Sequence, residues 1–212
     1  MSDLYDAILN GNAKASAAAT RTALEAGAAA LDLVQREMIP AMDEVGRRFE
    51  CEDYFVPELL LSARAMKAAL ELIRPLLTSS GAQPAGRVVI GTVKGDLHDI
   101  GKNLVASLLE GGGFEVIDLG SDVSPERFVE AARTNGANLV CVSALLTVTM
   151  PGMKAVVQAM ETAGLRPKAK IMVGGAPVTQ RFADEIGADG YGENAAVAVA
   201  VARKLVAAPQ PA

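Results

Sequence analysis

The pattern of apolar and polar positions changes once, near residue 80. Up to residue 78, apolar residues recur at three- and four-residue spacing, as in KASAAATRTALEAGAAALDLVQREMIPAMDEVGRRF and VPELLLSARAMKAALELIRPLL. This spacing is typical of amphipathic helices. Pro40 and Pro57 stand where helices can begin or bend. Residues 1–78 are therefore predicted to form a small helical bundle.

The second part of the chain alternates short β-branched runs with helical stretches. The runs cover residues 87–93, 114–119, 138–143, 170–175 and, more weakly, 189–192. Helical spacing between them predicts helices near 101–111, 125–135, 151–163, 178–186 and 194–206. Continuous apolar strands, each followed by a helix, predict an α/β domain over residues 87–206, with a Rossmann-like, doubly wound parallel sheet.

The segments that flank this α/β domain have the composition of connectors. TSSGAQPAG, at residues 78–86, collects Ser, Gly and Pro, so residues 79–86 are predicted to be a linker. AAPQPA, at residues 207–212, is predicted to be a disordered tail. Ligands of doubly wound sheets bind at the carboxyl ends of the strands. The loop after the first run and the segments SALLT and GGAP all fall at that edge.

Composition and charge narrow the classes of function. The 212 residues are half apolar, and the net charge is −5 with a pI near 5.0. Lys and Arg are dispersed, which argues against a nucleic-acid partner. Cys51 and Cys141 have no metal-binding spacing and favour a reducing compartment. The N-terminus does not resemble a signal peptide, and the longest apolar run, LVCVSALL, is too short to span a bilayer. We therefore expect a cytoplasmic protein with no membrane partner.

The single histidine of the chain, His98, lies in the stretch GTVKGDLHDIGKN at residues 91–103. A lone histidine in such a loop is most often a surface or hydrogen-bonded structural residue. A phosphate-binding loop is a second interpretation. Its spacing fails, because five residues rather than four separate Gly95 from the Gly101–Lys102 pair, and Asn103 replaces the Ser or Thr that would bind magnesium.

A third interpretation makes His98 a metal ligand. A zinc site needs three or four protein ligands, which this chain does not readily supply, since Cys141 lies in a predicted buried strand and Cys51 in the other domain. A metal that arrives inside a macrocycle needs only one axial ligand from the protein. Asp96 could then accept the other imidazole N–H and orient the ring.

DLHDIGKN fits the pattern D-x-H-x-x-G through Asp96, His98 and Gly101. It resembles the cobalamin-binding signature of corrinoid proteins, such as the methanol and methylamine corrinoid proteins, and of cobalamin-dependent methionine synthase. VSALLTVTM at 142–150 and VGGAPVT at 173–179 match later segments of that family in order and spacing. Residues 45–70 are similar to the helical cap of its methyl-carrying members. The resemblance covers essentially the whole chain.

This resemblance implies that cobalamin binds with its dimethylbenzimidazole displaced from cobalt by His98, the metal ligand. Asp96 and Thr149 would form a hydrogen-bond relay with His98, and these three residues are the catalytic candidates. Ser143 and Thr147 would bond the buried nucleotide tail. The cofactor-binding candidates are Asp96, Leu97, His98, Asp99, Ile100, Gly101, Ser143, Leu145, Thr147, Gly174, Gly175, Phe55, Met66 and Tyr191.

The function that the resemblance implies is methyl transport. A substrate-specific methyltransferase would pass a methyl group to cobalt, and a second methyltransferase would move it to tetrahydrofolate or a thiol. A reductive activator would be a further partner, and Phe55 and Met66 would cover the upper corrin face.

Three alternatives stay open. A cobalamin-responsive regulator would need an output module that this sequence does not suggest, and an adenosylcobalamin isomerase subunit ordinarily lacks the cap. A generic nucleotide-binding α/β protein is the alternative without cobalamin.

Overall fold

The structure is a computed structural model that describes residues 2–79, 84–166 and 168–207. The chain divides into two compact units. One runs to Pro84 and includes Glu110–Gly113, and the other contains Ala85–Leu109 and the residues from Phe114 onward. Part of the predicted linker, residues 80–83, and most of the predicted tail, residues 208–212, lie outside the described residues.

The first unit is helical, as its sequence pattern predicts. Its elements are α1 (Asp3–Leu9), α2 (Ala13–Glu25), α3 (Ala30–Leu33), a π-helical segment (Val34–Met38), α4 (Ile39–Glu50) and α5 (Val56–Ser79). Ser2 and Asn12 begin α1 and α2 by accepting hydrogen bonds from backbone amides of the first turn. Pro57 lies at the second residue of α5, where a missing amide hydrogen costs nothing, whereas Pro40 follows the π-helical segment, which continues directly into α4. None of the helices described here combines the length and hydropathy needed to cross a membrane.

The longest helix, α5, is the centre of this unit. Leu59, Met66 and Ile73 recur every seven residues, so they share one face of the helix, and all three are buried. α2 packs along α5, where the Ser16 hydroxyl donates a buried hydrogen bond of 2.9 Å to the Ala65 carbonyl. The bundle is therefore held by an apolar face and by small residues that let two helices approach closely.

The second unit contains a five-stranded parallel sheet with the strand order β2-β1-β3-β4-β5. The predicted doubly wound α/β fold is confirmed. Its strands are β1 (Arg87–Thr92), β2 (Glu115–Asp118), β3 (Leu139–Ser143), β4 (Lys170–Gly174) and β5 (Gly190–Gly192). Its helices are α6 (Ile100–Gly111), α7 (Pro125–Asn135), α8 (Pro151–Thr162), α9 (Gln180–Ile186) and α10 (Ala195–Ala207).

Helices cover both faces of this sheet because alternate strand residues point to opposite sides. Val88 and Ile90 belong to a core with α6 and α10, whereas Val89 belongs to a core with α7, α8 and α9. Gly91 leaves room for Phe128 of α7, because a Cβ at Gly91 would lie 2.8 Å from that ring. The continuous apolar runs of the sequence are thus strands buried on both faces.

The strand register places the connecting loops at one level. Thr92 pairs with Ser143, Ser143 with Gly174, and Gly174 with Gly192, so four strands end together. β1 and β3 are neighbours in the sheet. From β1 the chain adds β2 on one side, and from β3 it adds β4 and β5 on the other, so the direction of strand addition reverses between β1 and β3. Such a switch point opens a crevice at the carboxyl edge, and the loops after β1 and β3 border it.

Candidate functional site

The loop between β1 and α6 holds His98 at this carboxyl edge. Gly95 has a φ of 82°, a left-handed conformation that glycine adopts at little cost. After this turn the chain brings the Asp96 side chain inward and leaves His98 outward. The Asp96 side chain is 0% exposed, whereas the His98 side chain is 53% exposed. The loop therefore joins a buried carboxylate to an accessible imidazole.

Both oxygens of Asp96 accept hydrogen bonds. Oδ1 accepts from the backbone amide of His98 at 3.1 Å and lies 2.9 Å from His98 Nδ1. Oδ2 accepts from the amides of Leu145 and Leu146, at 2.8 and 3.4 Å, and lies 2.8 Å from Thr149 Oγ1. The Thr149 hydroxyl is also 2.8 Å from the Leu146 carbonyl. The loops after β1 and β3 thus meet at one carboxylate.

These donors keep Asp96 ionised. Burial by itself would raise the pKa of Asp96, but the hydrogen bonds from Leu145, His98 and Thr149 outweigh it and hold that pKa well below its usual range. An ionised carboxylate can only accept, so Nδ1 of His98 must carry the hydrogen that points at Asp96. In the neutral imidazole Nε2 is then the ring nitrogen with a free lone pair, and this is the form that binds a metal.

Exposed apolar side chains lie in the same loops as His98 and the residues that contact Asp96. Leu97, Ile100 and Val148 are 75, 81 and 80% exposed, and they lie in the loop, at the start of α6 and in the loop after β3. Gly101 has neither a left-handed φ nor any neighbour within 4 Å of a Cβ placed on it. Neither backbone conformation nor packing within the protein therefore requires glycine here. A flat apolar ligand beside the imidazole would explain both features.

Comparison with known proteins identifies the family. Two family models, each described as a B12 binding domain, match residues 86–200 and residues 2–74. The chain belongs to the B12-binding corrinoid proteins. It is 44% identical over 177 residues to dimethylamine corrinoid protein 1 of Methanosarcina acetivorans, covering 83% of both chains. It is 41% identical over 203 residues to trimethylamine corrinoid protein 1 of the same organism, covering 95% of this chain and 94% of that one.

A solved structure with this fold is the methanol:cobalamin methyltransferase complex MtaBC from Methanosarcina barkeri. The similarity covers 98% of the corrinoid protein described here and 80% of that chain, with a TM-score of 0.85 and 32% identity. The resemblance stated from the sequence is therefore confirmed, and so are the predicted cobalamin cofactor and the fold.

The residues of this corrinoid protein fit a cobalamin. Among the described residues, no three His, Cys, Asp or Glu side chains are grouped to hold a metal ion. A metal at His98 must therefore bring most of its own ligands, as a cobalt held by a corrin ring does. His98 would be its protein ligand, Asp96 would orient the ring, and the apolar residues beside the imidazole would face the macrocycle.

The other predicted residues of the corrinoid site lie along the same sheet edge. Ser143 ends β3 half-buried, and Thr147 is exposed in the loop that follows. Gly174 ends β4 and Gly175 follows it, where a Cβ on Gly175 would lie 1.9 Å from the Ala144 carbonyl oxygen. The close contact with the Ala144 backbone therefore requires glycine at position 175. The contact of Gly175 with a cofactor stays a prediction.

Tyr191 lies on β5, and β3 and β4 separate this strand from β1. The ring of Tyr191 packs partly buried against the core on the α7–α9 side of the sheet. Burial, and next the Glu193 carboxylate, raise the pKa of the Tyr191 hydroxyl. The Tyr191 hydroxyl therefore keeps its hydrogen at neutral pH and can donate a hydrogen bond. The predicted contact of Tyr191 with a nucleotide tail stays a prediction.

The two predicted cap residues differ in accessibility. Phe55 is 62% exposed just before α5, whereas Met66 is 1% exposed on α5. The Phe55 ring is accessible for contact with a cofactor or a partner, while Met66 belongs to the buried interior. The proposed contact of these residues with a corrin face stays a prediction.

Lys102 does not act as the lysine of a phosphate loop. Its side chain is 1% exposed, and its amine is 2.5 and 2.6 Å from the two carboxylate oxygens of Asp118 at the end of β2. It also donates to Asn103 Oδ1 at 2.7 Å, and Asn103 Nδ2 donates to Asp99 Oδ2 at 3.1 Å. This chain of contacts ties the start of α6 to β2.

Sequence reasoning missed two residues that hold the histidine loop. The Thr92 hydroxyl donates to the His98 carbonyl at 2.8 Å, and Thr92 is 0% exposed. A polar residue inside the apolar run RVVIGTV was the available signal. Asp122, in the loop after β2, accepts a hydrogen bond from the Gly95 amide at 2.7 Å. No local pattern distinguishes it from an ordinary turn residue.

Proposed function

We propose that this corrinoid protein is a methyl carrier that holds cobalamin through His98 and presents it to two methyltransferases in turn. The observation that carries this proposal is the imidazole fixed through Nδ1 by a buried, ionised Asp96, with Nε2 available at an accessible apolar edge. When bound, the cobalt of a corrinoid accepts a methyl group from a donor and releases it to an acceptor, and the protein supplies orientation and electrostatics.

His98 and its hydrogen-bond partners would provide that orientation. Asp96 fixes the tautomer and the ring orientation of His98 through the Nδ1 contact, so His98 would hold the metal through Nε2. Thr149 donates to Asp96 from the opposite side and extends the relay. The negative charge of Asp96 next to the imidazole would strengthen electron donation from Nε2 to a bound metal, as a carboxylate hydrogen-bonded to a metal-binding histidine does.

Relatives support the choice of partners. The similar chains from Methanosarcina acetivorans are named for dimethylamine and trimethylamine, and the similar MtaBC chain belongs to a complex with a methanol:cobalamin methyltransferase. We infer that the donor partner here is a substrate-specific methyltransferase for a small methylated compound. A second methyltransferase acting on tetrahydrofolate or a thiol, and a reductive activator, complete a cytoplasmic system.

The ligand assignment is tested by electron paramagnetic resonance of the cobalt(II) form. The protein is reconstituted with cobalamin and prepared with ordinary and with ¹⁵N-labelled histidine. Because His98 is the single histidine, a label-dependent change in the axial nitrogen splitting identifies it as the ligand. An unchanged splitting would mean that dimethylbenzimidazole, or no nitrogen, binds the cobalt.

The carrier role is tested by mixing the reduced holoprotein with purified dimethylamine, trimethylamine or methanol methyltransferases and their substrates. We expect the visible spectrum to change to that of methylcobalamin with at least one of these partners, and to revert when an acceptor methyltransferase is added. The holoprotein with substrate alone is the control. Failure with every partner, while adenosylcobalamin supports a rearrangement, would favour an isomerase subunit.

A further inference from the structure

Asp122 has an unusual backbone conformation beside the histidine loop. It lies between β2 and α7 with a φ of 57°, and among the described residues only Glu52 is another non-glycine with positive φ. A Cβ makes this left-handed conformation unfavourable, although Asp tolerates it better than most residues. Such a conformation persists where the surroundings determine it, often at a functional site.

Two hydrogen bonds join Asp122 to the histidine loop. Its Oδ1 accepts from the Gly95 amide at 2.7 Å, and its own amide donates to the Asp96 carbonyl at 3.0 Å. The two bonds therefore hold both ends of the short backbone segment that runs from the Gly95 amide to the Asp96 carbonyl. With φ in the left-handed region, the amide and the side chain of one residue reach both groups.

The neighbouring backbone extends this contact. The Thr92 amide donates to the Gly120 carbonyl at 3.0 Å, and the Val123 amide donates to the Thr92 carbonyl at 2.9 Å. Val93 and Val123 form an isolated parallel bridge. The loop after β2 thus continues the sheet beyond the end of β1 and lies directly against the histidine loop.

We propose that Asp122 is a positioning residue that sets the orientation of Asp96 and thereby of the His98 imidazole. This inference rests on the proposed role of His98 as the axial ligand. Asp96 bonds His98 through one oxygen and the loop after β3 through the other. A rotation of the Gly95–Asp96 backbone would break one set of bonds, and Asp122 prevents that rotation.

Three variants separate the hydrogen bond from the backbone strain. Asp122→Asn keeps an acceptor oxygen and tolerates positive φ. Asp122→Gly removes the acceptor and also the strain, whereas Asp122→Ala removes the acceptor and keeps the strain. Glu52→Gly is the matched control, because it relieves a φ of 61° in the other unit.

The first readout is amide hydrogen exchange in the protein without cobalamin. The amides of Gly95 and His98 should exchange about tenfold faster in both D122G and D122A, because the loop opens locally without its acceptor. They should stay near wild type in D122N and in E52G. The Ile171 amide, bonded to Asp189 at 2.7 Å, should not change in any variant. Unchanged exchange at Gly95 and His98 in D122G and D122A would overturn the proposal.

The second readout is the cobalt(II) resonance with labelled histidine. D122G and D122A should lose at least half of the histidine-dependent splitting seen in wild type, while D122N and E52G retain it. Full splitting in D122G and D122A would refute a positioning role. If wild type itself shows no histidine splitting, the proposed ligand is wrong, and the exchange rates alone then decide whether Asp122 holds the loop.

Discussion

Asp96 is a carboxylate without solvent contact that nevertheless stays charged. Backbone amides, a hydroxyl and the imidazole of His98 replace the water it has lost. The same arrangement fixes the His98 tautomer, so one residue determines which ring nitrogen of His98 is available to a ligand and how the ring is oriented. At the residue scale, the chemistry of the site depends on this set of donors.

Asp96→Asn should therefore damage the loop although it changes few atoms. An amide NH₂ would have to face the donors of either His98 or the Leu145–Thr149 side, which leaves buried groups unpaired. We expect a loss of about 1–3 kcal/mol in the free energy of unfolding and a changed cobalt reduction potential. Chemical denaturation and potentiometry measure these. Asp184→Asn, on an exposed carboxylate of α9, is the control, and equal effects of both substitutions would contradict this view of Asp96.

Gly101→Ala should change stability and cofactor affinity in opposite directions. Alanine favours the helical conformation over glycine by up to about 1 kcal/mol, and among the described residues no atom outside the local helix backbone and the adjacent residues lies within 4 Å of the new methyl group. The protein without cofactor should become slightly more stable, while cobalamin binding weakens at least tenfold because the methyl group occupies ligand space. Ser107→Ala in α6 should leave affinity unchanged. Unaltered binding by G101A would place the corrin elsewhere.

The two cysteine thiols differ in accessibility because they lie in different secondary-structure elements. Cys141 lies within β3 against the core formed with α6 and α10, and burial raises the pKa of its thiol. Cys51 ends α4 and is exposed. Iodoacetamide should modify Cys51 in the native protein and Cys141 only after unfolding, as mass spectrometry can determine. Rapid native labelling of Cys141 in a Cys51→Ser variant would show that β3 opens readily.

The last turn of α4 carries a pH-dependent contact. Hydrogen bonds from Arg47, and next from Arg48, lower the pKa of Glu44 to about 2. A lowered folded-state pKa stabilises the protein above the ordinary pKa of Glu, and this stabilisation is lost as pH falls toward 2. Glu44→Gln should therefore lower Tm at pH 7, with the difference shrinking between pH 4.5 and 2. Glu130→Gln, which removes one exposed pair with Arg127, should matter little at either pH.

At the scale of the whole molecule, cobalamin should stabilise the fold by mass action. A ligand at one hundred times its Kd contributes about 2.7 kcal/mol, which raises Tm by roughly 5–10 °C for a chain of this size. Cobinamide, which lacks the nucleotide tail, should bind less tightly if Ser143, Gly174 and their neighbours hold that tail. Thermal melts across a concentration series compare the two corrinoids, and equal shifts would exclude a buried tail.

The sequence predicted the architecture well because the relevant signals are local. Strand runs and helical spacing each appear within about ten residues, and the change of period near residue 80 separates the two patterns. The pattern D-x-H-x-x-G likewise places Asp96 and His98 within one loop, since both lie within three residues of each other. Cys141 in a buried strand and the helical first unit followed from the same periodicity.

The tertiary structure decided what Asp96 and His98 contact at long range. Leu145 and Thr149 reach Asp96 from about fifty residues away, and Asp122 reaches Gly95 from 27 residues away. These contacts depend on β1 and β3 ending at one level and on the loop after β2 lying beside the end of β1, which follow from strand order and register and have no local signature. The sequence by itself determined the fold class, the family and the ligand candidate, because apolar periodicity and the pattern D-x-H-x-x-G each extend over only a few residues. The family resemblance had already named Thr149 as a partner of Asp96, but only the folded sheet brought the Leu145 amide to Asp96 and the Asp122 carboxylate to Gly95.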